Sequence, residues 1–316
     1  MKLTNKLPEI NHYGNRIPEG SIFFKIPENI GEIVSASTSY FKGQKPLTSK
    51  ERSPKYLKNI GIALAVSLLI ILIGRVANPI WISIWIGIPI VIAIIVSNSS
   101  TKFKGVCSYI GTNGFAEYSF LNSPENIITN NEISFNNVTD LLKGSKVRKR
   151  NFSYEGTDFI FLWLNNGKEV FKLESTHQNK NNEPDKYPFE YYFMALAVDQ
   201  WTKKLVSQMP KKLQEEGFLE FDLIANKNSK WINVKHIRMG IGFIEFIFST
   251  KTVRYNHDQI KKMYFQNGSL FMEHKNYEKK LFGFIEKGDK NSIPLTNLSN
   301  QAYFFHTFEK LMGYSL

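Results

Sequence analysis

Two long apolar runs separated by a four-residue break constrain this chain more than any other feature. The runs cover residues 57–74 and 79–96, and Arg75 is the only charged residue in 60–101. At a rise of about 1.5 Å per residue, such a run reaches roughly 27 Å as a helix, close to the hydrocarbon thickness of a bilayer. The sequence therefore predicts a two-helix transmembrane hairpin over residues 57–97.

Small residues recur at a spacing of four within both predicted helices. They are Gly61 and Ala65 in the first helix and Ser83 and Gly87 in the second. This spacing lets helix backbones approach closely, so we expect a helix-packing surface here, either within the hairpin or against a partner. The interiors of both runs carry no ionisable residue, which disfavours an ion or proton path through them.

Basic residues are concentrated on the two flanks of the hairpin. They are Lys42, Lys45, Lys50, Arg52, Lys55, Lys58, Lys102 and Lys104. Because the turn offers Arg75 alone, the positive-inside rule predicts that both termini are cytoplasmic. The first residues lack the apolar core of a secretory signal peptide, so we expect an uncleaved, multi-pass anchor.

The segment before the hairpin, residues 1–56, is a predicted cytoplasmic N-terminal arm. Five prolines at positions 8, 18, 27, 46 and 54 argue against long helices there. Short apolar patches at 22–24 and 30–34 leave two alternatives open, docking on a neighbouring domain or a partly ordered arm.

The overall charge and the cysteine content limit the partners and the covalent chemistry. The formal net charge is +12, with an isoelectric point near 9.4. Nucleic acid, anionic lipid and an acidic protein all remain candidate partners, and for a membrane protein anionic headgroups are the simplest. A single cysteine, Cys107, excludes an intramolecular disulfide and a multi-cysteine metal site.

After the hairpin the pattern changes to short β-rich segments separated by glycine and asparagine. The predicted strands are 105–110, 114–120, 132–142, 159–164 and 169–173. The last two are joined through Asn166-Gly167, residues that accept the positive φ of a tight hairpin turn. Apolar residues then follow a helical period from Phe189 and predict a helix that ends before Pro210.

The same order of elements recurs in the last third of the chain. Predicted strands cover 218–224, 231–237, 242–249, 252–255, 261–266, 269–274 and 281–286 and precede a helix with Ser299 or Asn300 as its cap. Residues 114–120 match 242–248, 133–136 match 253–256, and Asn267-Gly268 echoes the earlier turn. We therefore predict a mainly-β (α+β) cytoplasmic region with two units, 103–210 and 213–316, each closed by a C-terminal helix.

A curved antiparallel sheet covered by one amphipathic helix is the plan of a pleckstrin-homology-like (PH-like) barrel. The segments that suggest a family are 30–32, 109–115, 133–141 (with Phe135 where a tryptophan is usual), 219–221, 255–260, 293–295 and Asn297. At these positions the chain resembles an uncharacterised group of bacterial two-pass membrane proteins with tandem PH-like cytoplasmic domains. The resemblance implies two PH-like β-barrel units and the bacterial inner membrane, but no activity.

Residues that could carry catalysis are sparse and scattered. His257 is the only histidine directly followed by an acidic residue, Asp258, and this pair fits a solvated turn better than a ligand or base. The glycine-rich stretch 239–242 lacks the third glycine of a dinucleotide motif and the lysine of a P-loop, so it predicts a hairpin turn. Cys107 fits a buried strand position better than a nucleophile. We predict no catalytic, cofactor or metal site.

The densest charge in the chain is a basic cluster that we place in a loop of the first unit. Its members are Lys143, Lys146, Arg148, Lys149 and Arg150. Close to a membrane, such residues attract anionic headgroups at about 1 kcal/mol each. A solvated loop is the simpler of the two interpretations. Nucleic acid is disfavoured, because the cluster lacks interleaved aromatic residues.

These features predict a non-enzymatic, membrane-anchored docking or scaffold module that binds anionic lipid headgroups or a protein partner. One alternative is an accessory subunit of a larger transport or secretion complex, with the hairpin packed against that partner. For the docking module, a protein partner and a homo-oligomer both remain open. A remote alternative is an enzyme whose site is assembled from residues far apart in the sequence.

Overall fold

The structure, a computed structural model, describes residues 7–75, 78–151, 153–177, 187–224, 234–266, 268–280, 285–287 and 290–313. The helices are α1 (Ser49–Ile73), α2 (Pro79–Thr101), α3 (Phe189–Glu216) and α4 (Gln301–Met312). Strands of the N-terminal unit are β1 (Ile33–Thr38), β2 (Lys104–Gly111), β3 (Gly114–Leu121), β4 (Ser123–Ser134), β5 (Asp140–Arg150), β6 (Ser153–Asn165) and β7 (Lys168–His177). The C-terminal unit contains β8 (Leu219–Asp222), β9 (Val234–Gly240), β10 (Phe243–Phe248), β11 (Thr252–Asn256), β12 (Ile260–Gln266), β13 (Ser269–His274), β14 (Glu278–Lys280), β15 (Ile285–Lys287) and β16 (Lys290–Pro294).

Helix α1 begins well before the apolar run because a capping box fixes its start. The Thr48 hydroxyl accepts a hydrogen bond from the backbone N–H of Glu51 at 3.4 Å, and the Glu51 carboxylate accepts one from the N–H of Thr48 at 2.7 Å. Helix α2 begins at Pro79, where the Asn78 side chain caps the N–H of Ile80 at 2.9 Å. The hairpin therefore carries a charged extension on α1 that hydropathy alone did not include.

Both hairpin helices are long and apolar enough to span a membrane. Of the apolar window of each helix, 11% is buried inside the protein, unlike the core helix of a soluble domain, which is mostly buried. Leu57, Leu72, Ile73 and Ile80 each expose at least 70% of their surface. The fold itself thus leaves the apolar surface of the hairpin uncovered.

The segment before the hairpin is an integral part of the sheet that follows it. Strand β1 pairs antiparallel with β2, with Ala36 opposite Tyr109. Ile30 and Ile33 are buried, and Phe23 and Phe24 pack on the same cluster. Of the two alternatives for the arm, docking is the one found. The hairpin is consequently an insertion between two neighbouring strands of one sheet.

The N-terminal unit contains two antiparallel sheets, ordered β1-β2-β3-β4 and β5-β6-β7, followed by α3. The predicted strand 132–142 is wrong as a single element, because the 3₁₀ turn Phe135–Asn137 separates β4 from β5. The predicted end of α3 before Pro210 is also wrong. The helix continues to Glu216, since proline removes one hydrogen bond while Met209 and Leu213 keep packing on the core.

The C-terminal unit repeats this order. Its sheets are β8-β9-β10-β11 and β12-β13-β16, the β14-β15 hairpin lies between β13 and β16, and α4 follows. Counted over the described residues, segments 114–120 and 243–248 belong to the third strand of each unit, which confirms that part of the predicted repeat. The turn after β6 has positive φ at Asn166 (49°) and Gly167 (76°), as predicted. Gly268, however, follows the fifth described strand of its unit, whereas Gly167 follows the sixth, so the two glycines do not correspond.

One apolar core runs through both units. Trp163, Phe193, Phe221 and Phe304 all belong to it. The fold is α+β with mostly antiparallel sheets, as the sequence predicts. Over the described residues each sheet remains open and none closes on itself, so the finer expectation of PH-like barrels is not established.

Candidate docking surface on strand β5

The five predicted basic residues lie on a strand and not in a loop. Strand β5 pairs with β6 from Asp140↔Leu164 to Arg150↔Ser153. The prediction was wrong because a run rich in lysine and arginine suggests a solvated loop, whereas cross-strand pairing with β6 holds it extended. Side chains on a strand alternate between two faces, so the cluster is divided.

Lys143 projects toward the core. Its ammonium group lies 5.7 Å from the ring centroid of Phe161 and 5.6 Å from that of Tyr191. Burial lowers the pKa of this lysine, because desolvation disfavours its charged form. Lys143 is therefore separated from the exposed members of the cluster, and it contributes cation–π contacts instead.

Lys146 and Arg148 lie on the opposite, outer face of β5. The Arg148 Nε is 3.1 Å from Asp158 Oδ1, and that same oxygen accepts a hydrogen bond from the Thr176 hydroxyl at 2.8 Å. Lys149 and Arg150 are exposed at the end of the strand. We call Lys146, Arg148, Lys149 and Arg150 the β5 basic surface.

The outer edge of β5 is partly occupied by Asn300 and Gln301, at the start of α4. Asn300 Oδ1 accepts from the N–H of Leu141 at 3.1 Å, and the N–H of Asn300 donates to the Leu141 carbonyl at 2.8 Å. Gln301 Nε2 donates to the Lys143 carbonyl at 2.8 Å. Backbone groups alternate in direction along a strand, so Ser145 and Val147 also present their N–H and C=O to this edge. The described part of the chain provides no partner for either.

A groove of about 830 Å³ lies on the outer face of β5 to β7. Leu142, Ile160 and Leu162 give it an apolar floor, while Ile224 and Thr296 of the C-terminal unit form a wall. Lys146 and Asp158 lie at its polar end. An apolar cavity with a few charged groups at one end is the usual character of a binding site.

The predicted helix-packing residues face away from the contact between α1 and α2. Gly61, Ala65, Ser83 and Gly87 are exposed. The hairpin instead buries another small-residue stripe, made of Ala63 and Ser67 on α1 and Ala93, Ser97 and Thr101 on α2. Packing of the four predicted residues against a partner stays a prediction.

Strand register creates one charged cluster that sequence spacing did not reveal. Asp222 faces His236 and Glu220 faces Arg238 across β8 and β9. The distances are 2.7 Å from His236 Nδ1 to Asp222 Oδ1 and 2.7 Å from Arg238 Nε to Glu220 Oε2. Glu220, Asp222 and His236 could together coordinate a divalent cation. The hydrogen bond between His236 and Asp222 and the ion pair between Arg238 and Glu220 already account for the arrangement.

His12 forms a second unpredicted cluster. Its Nδ1 lies 2.7 Å from the Ser35 hydroxyl and its Nε2 2.9 Å from the Ser108 hydroxyl. Burial lowers the pKa of His12 to about 3, so the ring is neutral at physiological pH. Three segments far apart in the sequence meet here, which explains why no local pattern revealed it.

The two weaker candidates occupy the positions the sequence favoured. Cys107 is fully buried in β2, donates to the Thr38 hydroxyl at 3.3 Å, and burial raises the pKa of its thiol. His257 and Asp258 are exposed in a 3₁₀ turn. A buried thiol whose pKa is raised lacks the surroundings of an activated nucleophile.

No protein-family model matches the chain, and no curated protein matches it in sequence.

Proposed function

We propose that this protein is a non-enzymatic docking module anchored in a membrane by the α1–α2 hairpin. The observation that carries the proposal is the position of the hairpin, inserted between the paired strands β1 and β2. A hairpin in that position connects the folded region to the bilayer twice, through β1 before the hairpin and through β2 after it. Its uncovered apolar surface needs a nonpolar environment, which hydrocarbon supplies.

The proposed orientation places both termini and both β-rich units in the cytoplasm of a bacterial cell, at the inner membrane. Support comes from the basic flanks of the hairpin, set against the single Arg75 of the turn. In each unit a four-stranded and a three-stranded antiparallel sheet precede a helix, an order consistent with a PH-like plan. We propose that the β5 basic surface and the neighbouring groove form the docking site.

Labelling of single-cysteine variants tests the anchor and its orientation. Cys107 is replaced by serine, and Arg75→Cys and Lys45→Cys are probed with a membrane-impermeant maleimide in intact spheroplasts. The proposal predicts labelling at position 75 and protection at position 45 until the membrane is opened. Equal labelling at both positions, or release of the protein by carbonate, would contradict it.

Anionic lipid and protein are the two candidate ligands of this module. Co-sedimentation of the purified protein, reconstituted in neutral nanodiscs, with separate anionic and neutral vesicles distinguishes them. Binding to anionic vesicles that is lost in a Lys146→Gln, Arg148→Gln double variant favours lipid headgroups. Equal recovery with both vesicle types removes lipid as the ligand and leaves a protein partner.

A second candidate function is an accessory subunit of a larger membrane complex. It is favoured by the outward stripe of Gly61, Ala65, Ser83 and Gly87, since small exposed residues on a spanning helix permit close helix contact. An apolar groove of about 590 Å³ includes Ser83 and Gly87. Purification in mild detergent tests it, because a stoichiometric integral partner is expected for a subunit and a single species for an independent anchor.

A further inference from the structure

The outer edge of β5 has the properties of a site for adding a strand. The backbone N–H of Leu141 already donates to the side-chain oxygen of Asn300, and the carbonyl of Lys143 accepts from the side-chain nitrogen of Gln301. This edge is therefore accessible to hydrogen-bonding groups from outside the sheet. At Ser145 and Val147, four backbone groups continue the same edge. Val147 exposes 53% of its surface, although it is a large apolar residue within a strand.

Charge limits which strands can pair with this edge. A second copy of β5 would oppose lysine and arginine with lysine and arginine, and like charges directly across a ladder are destabilising. Lysine on an edge strand commonly prevents self-association for this reason. An acidic strand would pair favourably instead, because its carboxylates would lie opposite Lys146 and Arg148.

The groove selects for one apolar side chain beside the acids. Gly144 lies on the same face as Lys146 and has no side chain, and Ile160 lies directly across from it on β6. A side chain opposite Gly144 on an added strand can lean over the glycine toward Ile160 and the groove wall. This cross-strand covering of a glycine is a recognised way of stabilising strand pairs.

We propose that the β5 edge binds an extended acidic segment of a partner protein by strand addition. The added strand runs antiparallel to β5, as its neighbour β6 does, and donates and accepts at Ser145 and Val147. Its side chains on the outer face follow the order acid, any residue, apolar, with the acid opposite Lys146 and the apolar residue opposite Gly144. This inference rests on the proposed docking function and names the partner chemistry of the same site.

A fluorescent peptide tests the proposal on the full-length protein in neutral nanodiscs. The probe is Gly-Ser-Glu-Thr-Glu-Thr-Leu-Thr-Ser-Gly, and its binding is followed by anisotropy. We expect saturable binding that is at least tenfold weaker for a peptide with lysine in place of glutamate. Methylating the backbone nitrogens of the first two threonines of the peptide, which lie opposite Val147 and Ser145, should also weaken binding at least tenfold, since it removes donors without altering the protein.

Variants at Val147 separate strand addition from simple charge attraction. Val147→Pro removes an N–H that points away from β6, so the β5–β6 ladder is retained. Val147→Thr keeps that N–H and is the matched control. We expect the proline variant to bind at least tenfold more weakly than the threonine variant, with equal far-UV circular dichroism.

Charge variants complete the test. Lys146→Gln should weaken binding and flatten its salt dependence, whereas Lys211→Gln, an exposed lysine on α3, should change neither. Equal affinity for the methylated and unmethylated peptides would overturn the proposal in favour of attraction by charge alone. Lack of saturable binding would overturn it too, and because incorporation into the nanodisc is scored separately, that result would leave the membrane anchor intact.

Discussion

The indole Nε1 of Trp201 donates a hydrogen bond of 2.9 Å to the side-chain oxygen of Asn300. Trp201 lies on the C-terminal helix of the first unit, and Asn300 lies just before the helix of the second. The same Asn300 oxygen accepts from Leu141, and Asn300 Nδ2 donates to the Thr139 carbonyl at 3.2 Å. One amide therefore joins β5, α3 and α4.

Replacing Asn300 should weaken the contact between the units. Asn300→Ala leaves the buried Trp201 donor unpaired, and we expect a loss of about 1–3 kcal/mol in the free energy of unfolding. Asn300 also has a left-handed backbone, with φ 51°. Asn300→Gly relieves that constraint, so the glycine variant should be the more stable of the two. Chemical denaturation measures both, and full stability of Asn300→Gly would show that the hydrogen bonds contribute little.

Acid should destabilise the packing of the N-terminal segment through His12. The pKa of His12 falls from 6.5 to about 3 on folding. Between these two pH values His12 is protonated in the unfolded state and neutral in the folded state, so acid favours unfolding. The stability contribution is present above pH 6.5 and is lost as pH falls toward 3. Between pH 7.5 and pH 5 we expect a loss of about 2 kcal/mol from this group.

His12→Gln supplies the control for this pH dependence. Glutamine retains hydrogen-bonding capacity toward Ser35 and Ser108 but does not titrate. The difference in the free energy of unfolding between pH 5 and pH 7.5, measured by chemical denaturation, should therefore be smaller for the variant than for the wild-type protein. An unchanged difference between the two pH values would assign the acid sensitivity to other groups.

The hairpin should tolerate a large residue on its outer face but not at its internal contact. Ala63 is buried between the helices, whereas a side chain added at Gly61 meets nothing within 4 Å. We expect Ala63→Leu to cost about 1–3 kcal/mol through overpacking and to lower the melting temperature in detergent. Gly61→Leu should leave that temperature unchanged. A smaller oligomer for Gly61→Leu in light scattering would identify the outer face as an assembly surface.

Gly111 should resist substitution because the preceding segment passes directly over it. A Cβ at this position would lie 2.2 Å from the carbonyl oxygen of Ile30, which accepts a hydrogen bond from the N–H of Asn113. We expect Gly111→Ala to destabilise the protein by about 1–3 kcal/mol and to increase proteolysis before residue 40. Gly61→Ala is the matched control. Resistance to proteolysis equal to that of the wild-type protein would contradict the predicted displacement.

Most of the described strand positions and the apolar two-helix hairpin could be predicted, because their patterns are local. Asn166-Gly167 and the match between 114–120 and 242–248 identified real turns and strands. Predictions failed where distant residues decide the outcome. The basic run became β5 because β6 pairs with it, and α3 passed Pro210 because its next turn still packs on the core.

The candidate site illustrates the same division. Sequence located the basic residues but not that Lys143 turns inward while Lys146 faces out, since only pairing with β6 sets the two faces. The sequence offers Ser299 or Asn300 as the cap of α4. Asn300 holds the cap position, but its side-chain oxygen accepts from Trp201 and Leu141 and not from the first turn of the helix. That choice depends on the second unit packing against the first.

The amino-acid sequence by itself determined the two apolar helices, their charged flanks and the repeated β-rich order, because hydrophobic periodicity and turn residues act over a few positions. Tertiary structure alone decided that β1 pairs with β2 although the hairpin lies between them in the sequence, and that His12 is buried against Ser35 and Ser108. It also decided that, among the described residues, no group pairs with the β5 edge at Ser145 and Val147. Each of those features depends on pairing and packing between residues far apart in the chain, and local sequence patterns do not predict such contacts.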